Sequence, residues 1–109
     1  VYMAFLFASV DSVCKVGSYA GSSSTVTVTT GFQPRFVLIK RATGVGQWTM
    51  FDTFRGWGSG NDKKLELSDD GGETDTYDAG APTSTGFTVT SGQSAINNNG
   101  DTYVYYAHA

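Results

Sequence analysis

The loop at residues 51–60 holds the side chains best suited to binding chemistry. It reads Phe-Asp-Thr-Phe-Arg-Gly-Trp-Gly-Ser-Gly and places Asp52, Arg55 and Trp57 close together in the chain. A flat aromatic ring beside directional polar groups is what recognition of a sugar or a protein surface needs. We therefore predict a binding site formed by Trp57, Arg55 and Asp52. The alternative is that Trp57 closes one end of the hydrophobic core and is a structural residue.

A second group of polar residues lies in the acidic stretch at residues 68–78. Its carboxylates are the hard oxygen ligands that calcium takes, and they lie on a flexible loop. Their spacing does not match that of an EF-hand, and solvated acidic turns are common. The acidic residues also fall mainly in turns and not as a pair on facing strands, where glycoside hydrolysis would need them. We favour turn chemistry and predict no metal site.

Nucleophilic catalysis has few candidates in this chain. The only histidine, His108, lies in an aromatic, strand-like run, and the only cysteine, Cys14, alternates with Val13 and Lys15 as a small hydrophobe would. No nucleophile elbow, zinc-protease motif, Cys-x-x-Cys pair or phosphate-binding loop is present. The sequence therefore predicts a protein that is not an enzyme and has no catalytic residues and no cofactor.

Charge and composition limit the possible partners. Seven basic residues face ten acidic ones, for a net charge of -3, which provides no basic field for nucleic acid. A single cysteine cannot form an intramolecular disulfide, so packing must supply the stability. The apolar run at residues 1–8 is far shorter than the roughly 18 to 20 residues of a membrane span. We predict neither a nucleic-acid partner nor a membrane partner.

The elements that must position these side chains follow a period of two almost everywhere. Val26 and Val28 share one face of a run whose other face is threonine, as in a half-buried strand. Residues 36–39 are apolar at four consecutive positions, which predicts a central strand covered on both faces, with Leu38 fully buried. Short alternating runs follow at Trp48, Leu65 and Phe87, and Trp48 is expected in the core.

Turn residues recur at short intervals and exclude long helices. The pair Asn99-Gly100 is typical of a type I′ hairpin and stands directly before an aromatic run, so the last strand is expected to fold back there. About eight or nine short strands result, which predicts an all-β chain of one domain. Its expected fold is an antiparallel β-sandwich of the jelly-roll or laminin-G/lectin-like kind, over residues 1–109.

The two ends of the chain resemble each other. Residues 2–8 set over residues 103–109 match Tyr with Tyr, Phe with Tyr and Ala with Ala at equivalent spacing. One interpretation is that the chain is one unit of a repeat, or a processed piece of a longer protein, with strands at both ends that pair with neighbouring units. The other is that two aromatic strands look alike by chance.

Four phrases carry a resemblance to a known family. They are Lys-Val-Gly-Ser-Tyr at 15–19, Thr-Gly-Phe-Gln-Pro-Arg-Phe-Val-Leu-Ile-Lys-Arg at 30–41, the run at 48–52 and Gly-Asp-Thr-Tyr-Val-Tyr-Tyr-Ala at 100–107. In this order they resemble a repeat of virion proteins of tailed bacteriophages, especially marine and cyanobacterial phages, in tail fibres, appendages and capsid surface proteins. The resemblance covers most of the chain, although Cys14 and His108 stand where that family more often has Ser and Phe.

This resemblance implies a location in the virion and a structural role. The expected partners are other virion proteins or copies of the chain itself, which would assemble through β-rich surfaces. An alternative of a different class is a carbohydrate-binding module that recognises a host or capsular polysaccharide. Low charge and strand faces rich in threonine and serine suit both interpretations.

Overall fold

The chain folds into nine strands and one short 3-10 helix. A computed structural model describes all 109 residues. The strands are β1 (Cys14–Ala20), β2 (Val26–Thr29), β3 (Phe36–Arg41), β4 (Trp48–Asp52), β5 (Asp62–Glu66), β6 (Thr74–Tyr77), β7 (Pro82–Thr83), β8 (Gly86–Val89) and β9 (Thr102–His108), and the 3-10 helix is Thr53–Arg55. The predicted all-β, antiparallel sandwich is confirmed.

The larger of the two sheets is built around the last strand. Its order is β1-β9-β3-β4-β5-β6, and every pairing in it is antiparallel. Strand β9 is hydrogen-bonded to β1 along one edge and to β3 along the other. Cross-strand pairs of aromatic and β-branched side chains stabilise such a sheet. Here Tyr19 of β1 stacks on Tyr103 of β9, with ring centroids 5.2 Å apart.

The smaller sheet covers one face of the larger one. Its order is β2-β8-β7. Phe87 of β8 is fully buried and makes edge-to-face contacts with three rings across the sandwich, Tyr105 at 5.4 Å, Trp57 at 6.1 Å and Tyr19 at 6.5 Å. Such geometry adds to the free energy of burial. The core therefore lies between the two sheets, and the opposite side of the larger sheet faces away from it.

Strand β3 is central, as expected, but it is not covered equally on its two faces. Val37 and Ile39 point into the core and are buried, whereas Phe36 and Leu38 lie on the other face and are only partly buried. The prediction that Leu38 is fully buried is wrong. A four-residue apolar run does not distinguish a strand between two packed layers from one whose second face is covered only in part.

This difference changes what substitution of Leu38 should cost. Leu38→Ala should lower the free energy of unfolding by about 1 kcal/mol, since the side chain is only partly withdrawn from water. Ile39→Ala, the neighbouring change on the core face, should cost about 2 to 5 kcal/mol because it leaves a cavity. Urea denaturation of the two variants checks this. Equal losses would mean that the second face of β3 is as well packed as the core.

The apolar run at the start of the chain is not a strand. Residues 1–9 carry no regular secondary structure, and the first pairing is an isolated bridge between Val10 and Cys14. The expectation of a strand at both ends therefore holds only for β9. The two ends do not pair with each other within one molecule, because the partners of β9 are β1 and β3.

The turn before β9 also differs from its predicted form. Gly100 has a φ of 88°, but Asn99 does not have a positive φ, so the two positive angles of a type I′ turn are missing. The turn is closed by the N–H of Asp101, which donates to the carbonyl of Asn98 at 3.2 Å. This turn is the last part of the loop between β8 and β9, and these two strands are not neighbours in a sheet.

Candidate interaction surface

The loop predicted as a binding site is an ordered turn after β4. The Asp52 side chain accepts a hydrogen bond from the N–H of Phe54 at 2.8 Å and so caps the 3-10 helix. Gly56 ends that helix with a φ of 109°, a conformation that glycine adopts without strain. Asp52 is therefore positioned as a cap, and its carboxylate is engaged with the chain's own backbone.

Trp57 lies in the core. Its side chain is 4% exposed, and its ring packs near Phe51 at 6.2 Å and Phe87 at 6.1 Å. The indole that was predicted to meet a ligand is thus covered by protein. The alternative raised by the sequence, that Trp57 closes the core, describes its position.

A buried carboxylate holds this loop in place. Asp62 of β5 is 1% exposed and accepts hydrogen bonds from the N–H of Gly58 at 2.8 Å and from the N–H of Ala79 at 2.7 Å. Burial raises the pKa of Asp62, and these N–H donors act in the opposite direction. Asp62 thereby joins the loop after Trp57 to the loop after β6.

Arg55 is also occupied by a contact within the chain. Its guanidinium donates to Glu73, which Lys63 approaches at 3.3 Å as well. The hydrogen bond from Arg55 contributes most to lowering the pKa of Glu73. The structure thus brings Asp52 and Arg55 to the same surface and leaves Trp57 beneath it. The exposed aromatic side chain of this loop is Phe54, at 93% exposure.

The other candidates of the sequence lie apart from this loop. His108 is at the end of β9, where its Nδ1 lies 2.9 Å from the hydroxyl of Tyr106. Cys14 begins β1 as a free, partly buried thiol. Part of the acidic stretch forms β6, and no group of three or more metal-ligating side chains is close enough together to hold an ion.

The largest unexplained feature is the outer face of the larger sheet, by which we mean the side that points away from the smaller sheet. The strand register places one apolar side chain from each of five neighbouring strands in a single cross-strand row. Paired residues of antiparallel strands lie on the same face, so these side chains are neighbours. All five are partly buried. The row runs Val16, Tyr106, Leu38, Met50, Leu65.

A groove lies along this face. It has a volume of about 840 Å³, and one of its walls is the chain's own N-terminal segment, residues 1–8, here called the arm. Eleven of the twelve residues that line it are hydrophobic, so water in the groove finds few hydrogen-bond partners. They are Met3, Phe5, Leu6 and Phe7 of the arm, and Val16, Leu38, Trp48, Leu67, Val104, Tyr105 and Tyr106 of the sheet.

The apolar character of the outer face is specific to the larger sheet. The smaller sheet presents threonine to solvent, with Thr27 of β2 paired to Thr88 of β8. An antiparallel sheet with one solvated face is expected to look like the smaller sheet. Seven of the thirteen exposed large apolar side chains line the groove, so the apolar surface is concentrated there. Such a concentration marks an interaction surface.

One residue of this surface, Trp48, was expected in a different part of the molecule. Trp48, expected in the core, is 41% exposed at the groove, while Thr49 and Phe51 on the opposite side of β4 are buried. Alternation alone does not say which face of β4 is inward, because both sets contain an aromatic residue. The signal that could have found the outer face is the polar-free run of β3, which is more apolar than a strand with one solvated face requires.

The whole chain, residues 1–109, matches a family described as a domain of unknown function, DUF7483, and it belongs to that family. No curated protein and no solved structure matches it. None of its helices has the length and apolar character needed to cross a bilayer.

Proposed function

We propose that this DUF7483 domain is a non-enzymatic structural module of a phage virion, from a tail fibre, an appendage or the capsid surface. It would act there by assembly through the outer face of its larger sheet. The observation that carries the proposal is the apolar row across five strands, which the smaller sheet lacks. Burial of such a face against a partner gains about 25 cal/mol for each Å² of apolar surface removed from water. The phrases of the sequence that resemble phage virion repeats support the location.

The polar side chains in and near the loop after β4 make structural contacts, which fits this role. Asp52 caps the 3-10 helix, Arg55 pairs with Glu73, and Asp62 holds two loops together. Groups so engaged stabilise the fold, and assembly makes no demand on them for proton transfer.

A second candidate function is carbohydrate binding at the loop after β4. Phe54 is 93% exposed there, on the same turn as Asp52 and Arg55. An exposed ring next to charged groups can stack on a sugar while the polar groups bind its hydroxyls. The internal contacts of Asp52 and Arg55 lessen their value for this purpose, so we rank this function below assembly.

Virion location is tested on particles. Mass spectrometry of density-purified particles of the virus that encodes the chain should detect its peptides in constant proportion to the major capsid protein. Recovery of the protein only in the particle-free fraction of the lysate would contradict the proposed location.

The two functions are separated by affinity electrophoresis in gels containing host capsular polysaccharide. For an assembly module we expect unchanged mobility in every gel. Retardation that Phe54→Ala abolishes, and that Val104→Lys on the outer face leaves intact, would favour the carbohydrate-binding module. A loss of about 2 kcal/mol is typical when an aromatic contact of this kind is removed.

A further inference from the structure

The exposed apolar surface of one molecule falls into two parts. One is the sheet wall of the groove, where Trp48, Leu67 and Val104 are between 39% and 56% exposed. The other is the arm, in which Tyr2 and Leu6 are more than nine-tenths exposed. A partner that covers this region must therefore offer apolar surface to the sheet and to the arm at once.

The arm touches the sheet without covering it. The ring of Phe7 lies 4.9 Å from that of Tyr106, but the groove of about 840 Å³ stays open between arm and sheet. This volume corresponds to several large side chains. The arm of one chain therefore does not cover the outer face at the packing density of a protein interior. The arm and the face are complementary in character but incompletely joined within one chain.

The arm has the pattern of a segment covered on both sides. Residues 1–8 contain no charged or strongly polar side chain, and residues 2–8 resemble residues 103–109, which include all of β9 except Thr102. In β9, Tyr103 and Tyr105 face the core while Val104 and Tyr106 face outward. An extended segment that is apolar on both faces is expected between two apolar layers. One layer is the outer face of its own chain, and a second layer of the same kind is missing.

We propose that the missing layer is the outer face of a second copy of this chain. The two larger sheets face each other about a two-fold axis, and each arm lies in the groove between them. In a two-fold interface both molecules use the same surface patch. Each copy therefore contributes one outer face and one arm, and each outer face is covered by the other copy. This proposal deepens the function proposed above and rests on it, since it names the partner of the same surface.

The charges of the chain do not oppose this pairing. No residue that lines the groove is charged, and neither is any side chain of the arm. Lys40 lies beside the groove, because the strand register places it between Trp48 and Val104, and its Nζ donates to the carbonyl of Arg41 at 2.9 Å. Association has to leave this ammonium at the rim of the contact, since a buried unpaired ion is the costliest obstacle to an apolar interface. The net charge of -3 resides elsewhere and is screened at physiological salt.

The test is sedimentation equilibrium of the purified 109-residue chain. We expect a monomer–dimer equilibrium, and we expect Val104→Lys on the face and Leu6→Lys on the arm each to weaken it at least tenfold. Thr27→Lys, which places the same charge on the outer face of the smaller sheet, is the matched control and should leave the equilibrium unchanged. Deletion of residues 1–7 should give a folded monomer, since they contain no strand. Circular dichroism and thermal unfolding of each variant verify that it folds.

Two results would overturn the proposal. One is a wild-type chain that stays monomeric at every concentration up to about 1 mM, a range that covers weak transient pairs. The other is a dimer that both lysine substitutions leave intact. In either case the presence of the chain in purified particles still decides virion location, so the two proposals can fail separately. A monomer found in particles would assign the outer face to a different virion protein.

Discussion

Trp57→Ala should lower the free energy of unfolding by about 3 to 5 kcal/mol, the range typical of removing a large aromatic side chain from a core. The indole is 4% exposed and packs between Phe51 and Phe87. Its loss leaves a cavity that the loop cannot fill, because the carboxylate of Asp62 holds that loop in place. Denaturation in urea, with the slope compared between variants, measures the change.

The matched control is Phe54→Ala in the same loop. Phe54 is 93% exposed, so its removal should change the stability by less than about 0.5 kcal/mol. If Trp57→Ala left the stability unchanged, the indole would have to leave the core in solution. It would then be available as the contact residue that the sequence first indicated.

Asn97→Asp should be at least as damaging, although it exchanges one atom. Asn97 is 2% exposed; its Oδ1 accepts from the N–H of Ser22 at 2.7 Å, and its Nδ2 donates to the carbonyl of Ser24 at 3.0 Å. The same Nδ2 also donates to the carbonyls of Val89 and Thr90, at 3.2 Å each. A carboxylate there would face three carbonyl oxygens without a proton to donate. We expect a loss of more than about 3 kcal/mol at pH 7.

The effect of Asn97→Asp should depend on pH. Burial and the nearby carbonyls raise the pKa of the introduced carboxyl in the folded state above its value in the unfolded chain. The destabilisation caused by the substitution is then smallest below the unfolded pKa of this carboxyl and grows as the pH rises towards its folded pKa. Thermal unfolding between pH 3 and 8 checks this, with the exposed Asn99→Asp as control. A profile parallel to that of the control would show that residue 97 is hydrated.

The strands were predictable because their cause is local. β-branched and aromatic residues at alternate positions, punctuated by turn residues, favour an extended chain, and this becomes a strand where a neighbour pairs with it, as it does not at residues 1–9. The runs at 26–29, 36–41 and 86–89 accordingly became β2, β3 and β8. Gly17 shows what a local pattern omits. A side chain there would collide with the ring of Tyr105 across the strand pair, a requirement that depends on residues far along the chain.

The positions of the two tryptophans were not predictable for the same reason. Trp48 lies in a strand and Trp57 in a glycine-rich loop, so local pattern favours the core for the first and leaves the second open between a binding site and the end of the core. Pairing of β4 with β3 and β5 turns Trp48 outward. The hydrogen bond from the N–H of Gly58 to Asp62 of β5 holds the loop of Trp57 against the core. Such contacts are set by tertiary structure.

The candidate site was predicted in part. The sequence indicated an apolar arm and a likeness between residues 2–8 and 103–109, and from these an assembly role was inferred. That the arm lies along a sheet face as an unpaired segment, and that this face carries an apolar row, depends on which strands become neighbours. Register across five strands is not contained in any short window of sequence.

The position of β9 has a consequence for how the domain is made. The ribosome completes β1 and β3 long before β9; β1 has no other partner in the larger sheet, and β3, which also pairs with β4, gains its second neighbour only when β9 arrives. Until then the backbone N–H and C=O groups along one edge of β1 and one edge of β3 are unpaired. The long sequence separation between these strands and β9 makes folding slow compared with that of a protein of local contacts. A chain that ends before Thr102 therefore lacks the strand that joins β1 to β3 in the larger sheet. It should be degraded by cellular proteases.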